Sequence, residues 1–143
     1  AHNAPTREAV LFGGHGTHVN VTDGRYVYMR GTANAQNVPL YEYTLMPTHM
    51  RTPFAPAELQ DTELVSPFSF MKGCPVLKIA ARGWHGMNPF EFGTMLYDVA
   101  ADPQQTQPLD DPAVEQRMIE HLLRLMREND APADQYERLG LNA

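Results

Sequence analysis

The sequence predicts an α+β domain in which a small antiparallel sheet of about four strands packs against one long C-terminal helix, with long irregular loops. Three observations predict it. Apolar and polar residues alternate on both sides of an early Asp-Gly pair, and an amphipathic helical pattern follows residue 111. Twelve prolines and ten glycines among 143 residues interrupt regular structure repeatedly. We expect residues 1–143 to form a single domain.

The strands are predicted from short runs rich in β-branched and aromatic residues that end at glycine or proline. The first run stops at Gly13-Gly14, and the segment "THVNVTDGRYVYMR" contains the next two. The proline-rich segment 47–73 leaves room only for a turn of helix near 56–63 within a long surface loop. The predicted strands are 9–12, 17–22, 25–30, 39–46, 76–80 and 94–99.

The Asp23-Gly24 pair predicts a type I′ hairpin between the second and third strands. In that register Thr22 faces Arg25, Val21 faces Tyr26, and Val19 faces Tyr28. One face then carries Val19, Val21, Tyr26 and Tyr28. The opposite face is a more polar mixture that lies towards solvent or towards another part of a larger protein; it carries His18, Asn20, Thr22, Arg25, Val27 and Met29.

The long helix begins after Asp111, an N-cap residue followed by proline at the first helical position. We expect it to span about 112–129 and to be followed by a short helix at 132–139. Its apolar stripe consists of Val114, Met118, Leu122, Leu125 and Met126. Such a stripe is typical of a helix that packs on a core, and a groove for a partner helix is the other interpretation.

Composition narrows the class of protein. Seventeen acidic and eleven basic residues give a net charge of −6, which disfavours nucleic acid as a partner. No apolar run approaches the length of a membrane span, so we expect no membrane insertion. The single cysteine, Cys74, forms no internal disulfide and is interpreted as a small, partly buried apolar residue. The chain as given opens with no signal peptide.

The segment "FGTMLYDVAADPQQTQPLDDP" resembles the strand, acidic turn and helix start near the carboxyl end of bacterial sulfatases, arylsulfatase-like members of the alkaline phosphatase superfamily. The family pattern is close to L-Y-D-L-x-x-D-P-x-E-x-x-N-L. Leu96, Tyr97, Asp98, Asp102, Pro103 and Leu109 stand in matching places. Glutamines and a proline at 104–108 depart from the usual Glu and Asn. The segments "VTDGRYVYMR", "PLYEYTLMPTHM" and "PFSFMKGCPVLKI" extend the resemblance over about 7–141.

The resemblance implies that this chain is the C-terminal subdomain of a sulfatase whose catalytic domain is a separate, preceding part. A sulfatase needs C-x-P-x-R or S-x-P-x-R, whose first residue becomes formylglycine, and a divalent cation such as calcium. This chain has no such sequence, and Cys74 in "GCPVLKIAAR" has the wrong spacing. We therefore expect no catalytic residue, metal site or cofactor here; calcium and formylglycine would belong to the parent enzyme. The resemblance leaves two compartments as alternatives, the bacterial cytoplasm and the periplasm.

Three residues are candidates for the substrate cleft of the assembled enzyme: His15, His18 and Arg25. Glycines beside the histidines allow close backbone approach, and an imidazole can donate a hydrogen bond to a sulfate or a sugar hydroxyl. The competing interpretation is that these are turn and surface residues. A metal site built from His15, His18, His49 and His85 would require distant loops to meet.

The alternative function is a free-standing module that binds a partner or a carbohydrate. Its contacts would come from the loop "RGWHGMNPFEF", through Trp84, His85, Phe90 and Phe92. A subdomain without its catalytic domain would expose an apolar docking face, and a homodimer is one way to cover that face.

Overall fold

The computed structural model confirms the α+β class and describes residues 7–46, 48–49, 51–81 and 87–142. Helices and strands alternate irregularly along the chain. In order they are β1 (Val10–Phe12), β2 (Val19–Thr22), β3 (Tyr26–Arg30), β4 (Tyr41–Thr44), β5 (Glu63–Val65), β6 (Val76–Ala80), α1 (Pro89–Phe92), β7 (Met95–Asp98), α2 (Pro112–Glu128) and α3 (Ala133–Leu139), with a 3₁₀ turn at Ser69–Met71.

The first sheet has the strand order β1-β2-β3-β7, and every neighbouring pair is antiparallel. Its register places one residue from each strand in a row across the sheet: Leu11, Val21, Tyr28 and Leu96. Helix α2 packs on this face and closes the main core. Met118 and Leu122 of α2 are fully buried there, each stabilising the fold by about 1.5–3 kcal/mol.

The predicted start of the long helix is confirmed. The Asp111 carboxylate accepts hydrogen bonds from the backbone N–H groups of Ala113 and Val114, both at 3.1 Å. Pro112 occupies the first helical position, where its missing N–H costs nothing. The short helix α3 follows, as the sequence predicted.

The predicted register of the β2–β3 hairpin is wrong by two residues. Val21 pairs with Tyr28, not Tyr26, and Val19 pairs with Arg30. The turn is centred on Gly24 and Arg25 because the Asp23 carboxylate accepts hydrogen bonds from the N–H groups of Arg25 and Tyr26, at 2.9 and 2.7 Å. An aspartate that caps the turn in this way precedes its central residues. A shift of two residues leaves each side chain on its predicted face.

The strands predicted at 39–46 and 76–80 form a second sheet with the order β4-β6-β5, which the sequence analysis did not foresee. Strand β5 lies in the segment expected to be loop, and residues 55–62 form successive turns in place of the predicted turn of helix. The side chain of Tyr43 in β4 donates a 2.5 Å hydrogen bond to Asp134 in α3, which joins the second sheet to the C-terminal helices.

Candidate docking surface

A tight turn at the end of the β1–β2 hairpin carries His15, the first of the two predicted histidines, and His18 follows it. The N–H of Thr17 donates to the carbonyl of Gly14 at 3.2 Å, and Gly16 adopts a φ of 70°, which favours glycine. His15 is exposed at the tip of the turn. We call residues 14–17 the histidine turn.

His18 follows the histidine turn and is buried, with 8% of its surface exposed. Its Nε2 donates to the carbonyl of Gly93, which caps α1, over 2.8 Å. Its ring centroid lies 6.4 Å from that of Phe92. The ring therefore connects the hairpin to α1.

Arg25, the third predicted cleft residue, lies at the other end of β2 from His18. Its Nη2 and Nε donate to the Asp98 carboxylate at 2.8 and 3.1 Å, and the guanidinium lies over the Tyr26 ring. The Arg25 hydrogen bond lowers the pKa of Asp98 below its usual value. The structure does not bring Arg25 together with the histidines.

The two aspartates of the quoted motif stabilise the connection between β7 and α2. Asp98 accepts hydrogen bonds from the N–H groups of Ala100 and Ala101. Asp102 accepts from those of Thr106 and Gln107, at 2.6 and 2.8 Å, and these backbone bonds lower the pKa of its carboxyl. Both carboxylates are thus engaged by their own chain.

The second face of the first sheet is unusually apolar. Its two rows across the strands are Phe12, Asn20, Met29, Met95 and Val10, Thr22, Val27, Tyr97. Six of these eight side chains are apolar or aromatic, whereas a sheet face in contact with water is normally polar. Helix α2 lies on the opposite face, and Phe12 and Val10 are 46% and 40% exposed. The sequence predicts a more polar mixture on the β2–β3 part of this face, but Val27 and Met29 make that part apolar.

Asn20 lies in the middle of this face and has an unsatisfied side chain. It is 94% buried, and among the described residues its Oδ1 has no hydrogen-bond partner. A buried amide oxygen without a partner costs about 1–3 kcal/mol. Asn20 also starts a sequence that matches a glycosylation acceptor, but its side chain is too buried in this fold to be modified.

Helix α1 forms one end of the same face and is firmly attached. A Cβ on Gly31 would lie 2.8 Å from the Gly93 oxygen, so the two backbones are in direct contact. The Asn88 side chain caps α1 and also donates to the carbonyl of Ala35 at 2.6 Å. This rigid helix exposes Phe92, at 58%, and Phe90, at 46%.

A cavity of about 190 Å³ opens between α1 and the sheet. Its walls are almost entirely apolar and are formed by Thr17, His18, Met29, Met87, Pro89, Phe92 and Met95. We define the docking surface as Val10, Phe12, Met29, Met87, Phe92 and Met95. Rigidly held aromatic side chains around an apolar cavity are typical of protein interfaces.

The remaining predicted site residues lie elsewhere. Trp84 and His85 are outside the described residues. Phe90 is exposed on α1, as an interaction loop requires, but does not line the cavity. His49 contacts Glu58 at 2.9 Å, in the segment between β4 and β5. Cys74 is exposed, which corrects the expectation that it is partly buried; it follows a turn and lies just outside β6.

Two further features concern the described residues, 7–46, 48–49, 51–81 and 87–142. None of their helices is long and apolar enough to cross a membrane. No three or more histidine, cysteine or acidic side chains in that part of the chain are grouped as metal ligands would be. In comparisons with known proteins, no protein-family model, curated protein or solved structure matches this chain.

Proposed function

We propose that this chain is the C-terminal subdomain of a sulfatase, a sulfuric ester hydrolase. In this proposal it completes the enzyme by packing its docking surface against the catalytic domain, and it presents the histidine turn to the substrate cleft. It performs no catalysis alone. Calcium and formylglycine belong to the catalytic domain, since this chain contains neither C-x-P-x-R nor S-x-P-x-R.

The observation that carries the proposal is the exposed apolar part of the second face of the first sheet, at Val10 and Phe12; Val27 and Tyr97 on the same face are already buried by this chain. A sheet covered by a helix on one face and apolar on the other is the middle layer of a larger arrangement. Phe12 and Phe92, which are 46% and 58% exposed, offer the apolar contact. A large preceding domain on the same polypeptide supplies such a layer.

The roles of the motif residues support the same proposal. Leu96 and Tyr97 lie in β7 and are buried, while Asp98 and Asp102 accept backbone hydrogen bonds from the connection to α2. These residues build the architecture of the subdomain. The motif that carries the family resemblance therefore has a structural function, which agrees with a subdomain that holds no reactive group.

The histidine turn contributes His15 to the cleft in this proposal. His15 is exposed, whereas the His18 Nε2 proton is already donated to Gly93. An imidazole at the tip of a turn can donate a hydrogen bond to an anionic sulfate ester. His18 instead keeps α1 in position beside the turn.

The test is the hydrolysis of an aryl sulfate ester with calcium present. We expect turnover from the complete reading frame that encodes this chain and none from the 143-residue chain. Replacing both Phe12 and Phe92 by aspartate should abolish turnover by preventing docking. The control is Phe70→Asp, because Phe70 is 64% exposed but lies outside the docking surface. Turnover by this chain alone would contradict the proposal.

The aromatic side chains of α1 also favour the second candidate, a free-standing binding module. Phe90 and Phe92 are exposed on a rigid helix, as a binding platform requires. A complete reading frame that begins near Ala1 and yields a protein without sulfatase activity would favour that candidate.

A further inference from the structure

A buried arginine lies behind the histidine turn. Arg138 of α3 is 1% exposed, and no described carboxylate lies within ion-pair distance of its guanidinium. Its partners are neutral: Nε donates to Gln135 at 3.0 Å, and Nη1 donates to the Asn37 Oδ1 at 2.9 Å and to the Thr17 carbonyl at 3.3 Å. A charge buried among neutral acceptors is costly, so such an arrangement points to a specific role.

Asn37 completes the contact with the turn. It is 8% exposed and adopts a φ of 56°, a left-handed conformation that asparagine tolerates better than most residues. Its Nδ2 donates to the Gly16 carbonyl at 2.7 Å while its Oδ1 accepts from Arg138. Arg138 and Asn37 thus bind two successive carbonyls of the turn, those of Thr17 and Gly16.

The hydrogen bonds from Asn37 and Arg138 hold the turn on its buried side, opposite the exposed His15. Two carbonyls held inwards leave the peptide planes around Gly16 little freedom to rotate, although glycine alone would allow many conformations. His15 lies one residue before the first of the two held peptides, inside the turn that the Thr17 N–H closes by donating to the Gly14 carbonyl at 3.2 Å. Its imidazole is therefore presented from a turn that the protein interior holds in one conformation.

We propose that Arg138 and Asn37 are positioning residues that hold the histidine turn so that His15 meets the sulfate ester in the cleft. This inference rests on the proposed function. Neither side chain contacts the substrate; both act through the backbone of the turn. The consequence is that two buried residues, far apart in the sequence, control how well His15 binds the sulfate ester.

The first experiment measures hydrogen exchange by mass spectrometry in the protein expressed from the complete reading frame. Asn37→Gly removes the amide but keeps a residue that accepts positive φ, and Arg138→Gln removes the charge. Both variants should raise the exchange rate of a peptide covering 13–18 by about tenfold, the change expected from the loss of one or two buried hydrogen bonds. A peptide covering 26–30 should exchange as in the wild type. Arg127→Gln, an exposed change on α2, is the control.

The second experiment is a double-mutant cycle on kcat/KM for an aryl sulfate ester. We expect His15→Ala, Arg138→Gln and Asn37→Gly each to lower kcat/KM by about 10- to 100-fold. Arg138→Gln should cause no further loss in the His15→Ala background, because it acts through His15. A role in stability alone would instead give additive losses.

The outcomes separate this inference from the proposed function. Unchanged exchange at 13–18 in both variants, or additive losses in the cycle, overturns the positioning role and leaves the sulfatase assignment intact. An active enzyme that is indifferent to His15→Ala overturns it as well, again without affecting the assignment. A complete protein with no sulfatase activity overturns both.

Discussion

Replacing His18 by alanine tests whether this residue is structural. The change removes the 2.8 Å hydrogen bond to the Gly93 carbonyl, worth about 1 kcal/mol net. It also removes a ring that is 92% buried, which adds about 1–2 kcal/mol of lost apolar burial. We expect the free energy of unfolding to fall by about 2–3 kcal/mol. His15→Ala removes an exposed side chain and should change it by less than about 0.5 kcal/mol.

The assay is urea unfolding of the 143-residue chain, followed by far-ultraviolet circular dichroism at one fixed protein concentration. With an m value of about 2 kcal/mol/M, His18→Ala should lower the midpoint by about 1–1.5 M. Equal midpoints for the His18→Ala and His15→Ala variants would refute the reasoning. So would a large shift from His15→Ala, since its side chain is exposed and the structure gives it no packing role.

Three further predictions concern the rest of the fold. Gly31→Ala should destabilise the protein by about 1–3 kcal/mol, because its Cβ would lie 2.8 Å from the Gly93 oxygen, whereas Gly14→Ala, with its nearest contact at 3.5 Å, should be close to neutral in the same urea assay. The pKa of Asp98 is lowered below 3.8 in the folded chain, so its arginine pair stabilises the fold at neutral pH and this stabilisation is lost as the pH falls through and below 3.8. Urea midpoints at pH 7 and pH 3 should therefore differ less for Asp98→Asn than for wild type, and an equal difference would contradict the assignment. Cys74 is exposed and should react with a maleimide in the folded protein as fast as in urea; protection on folding would show that it is buried.

The sequence predicted those elements whose side chains carry a strong local signal. Asp111 and Pro112 marked the start of α2, and the apolar stripe through Met118 and Leu122 identified the face that packs on the sheet. The hairpin register was not predictable from the Asp-Gly pair alone. Asp23 can occupy a central position of the turn, or it can precede the central positions and cap the turn with its carboxylate, as it does here. The choice between these depends on backbone geometry that the residue types do not determine.

The second sheet and α1 show more clearly which elements cannot be predicted from the sequence. Strand β5 has three residues in a proline-rich segment, and it exists because β6 is there to pair with it. Helix α1 has four residues, and its signal was the Asn88-Pro89 pair, a capping residue followed by proline at the first helical position. In the sequence this pair stands in a segment that is predicted to be a loop, so no helix is expected there.

The candidate site was only partly accessible to sequence reasoning. The glycine-flanked turn was predicted, but the different environments of His15 and His18 follow from the position of Gly93 in space. The apolar character of the second face could have been found from the alternation itself, since Val27 and Met29 on the face predicted to be more polar are apolar. Arg138 gave no signal, because a buried arginine and an exposed one look alike in a sequence.

The most direct test of the account is the coding sequence that precedes Ala1. If this chain is the C-terminal subdomain of a sulfatase, several hundred codons in the same frame precede it and encode C-x-P-x-R or S-x-P-x-R. A start codon immediately upstream, or a long preceding frame without either sequence, would contradict the central claim.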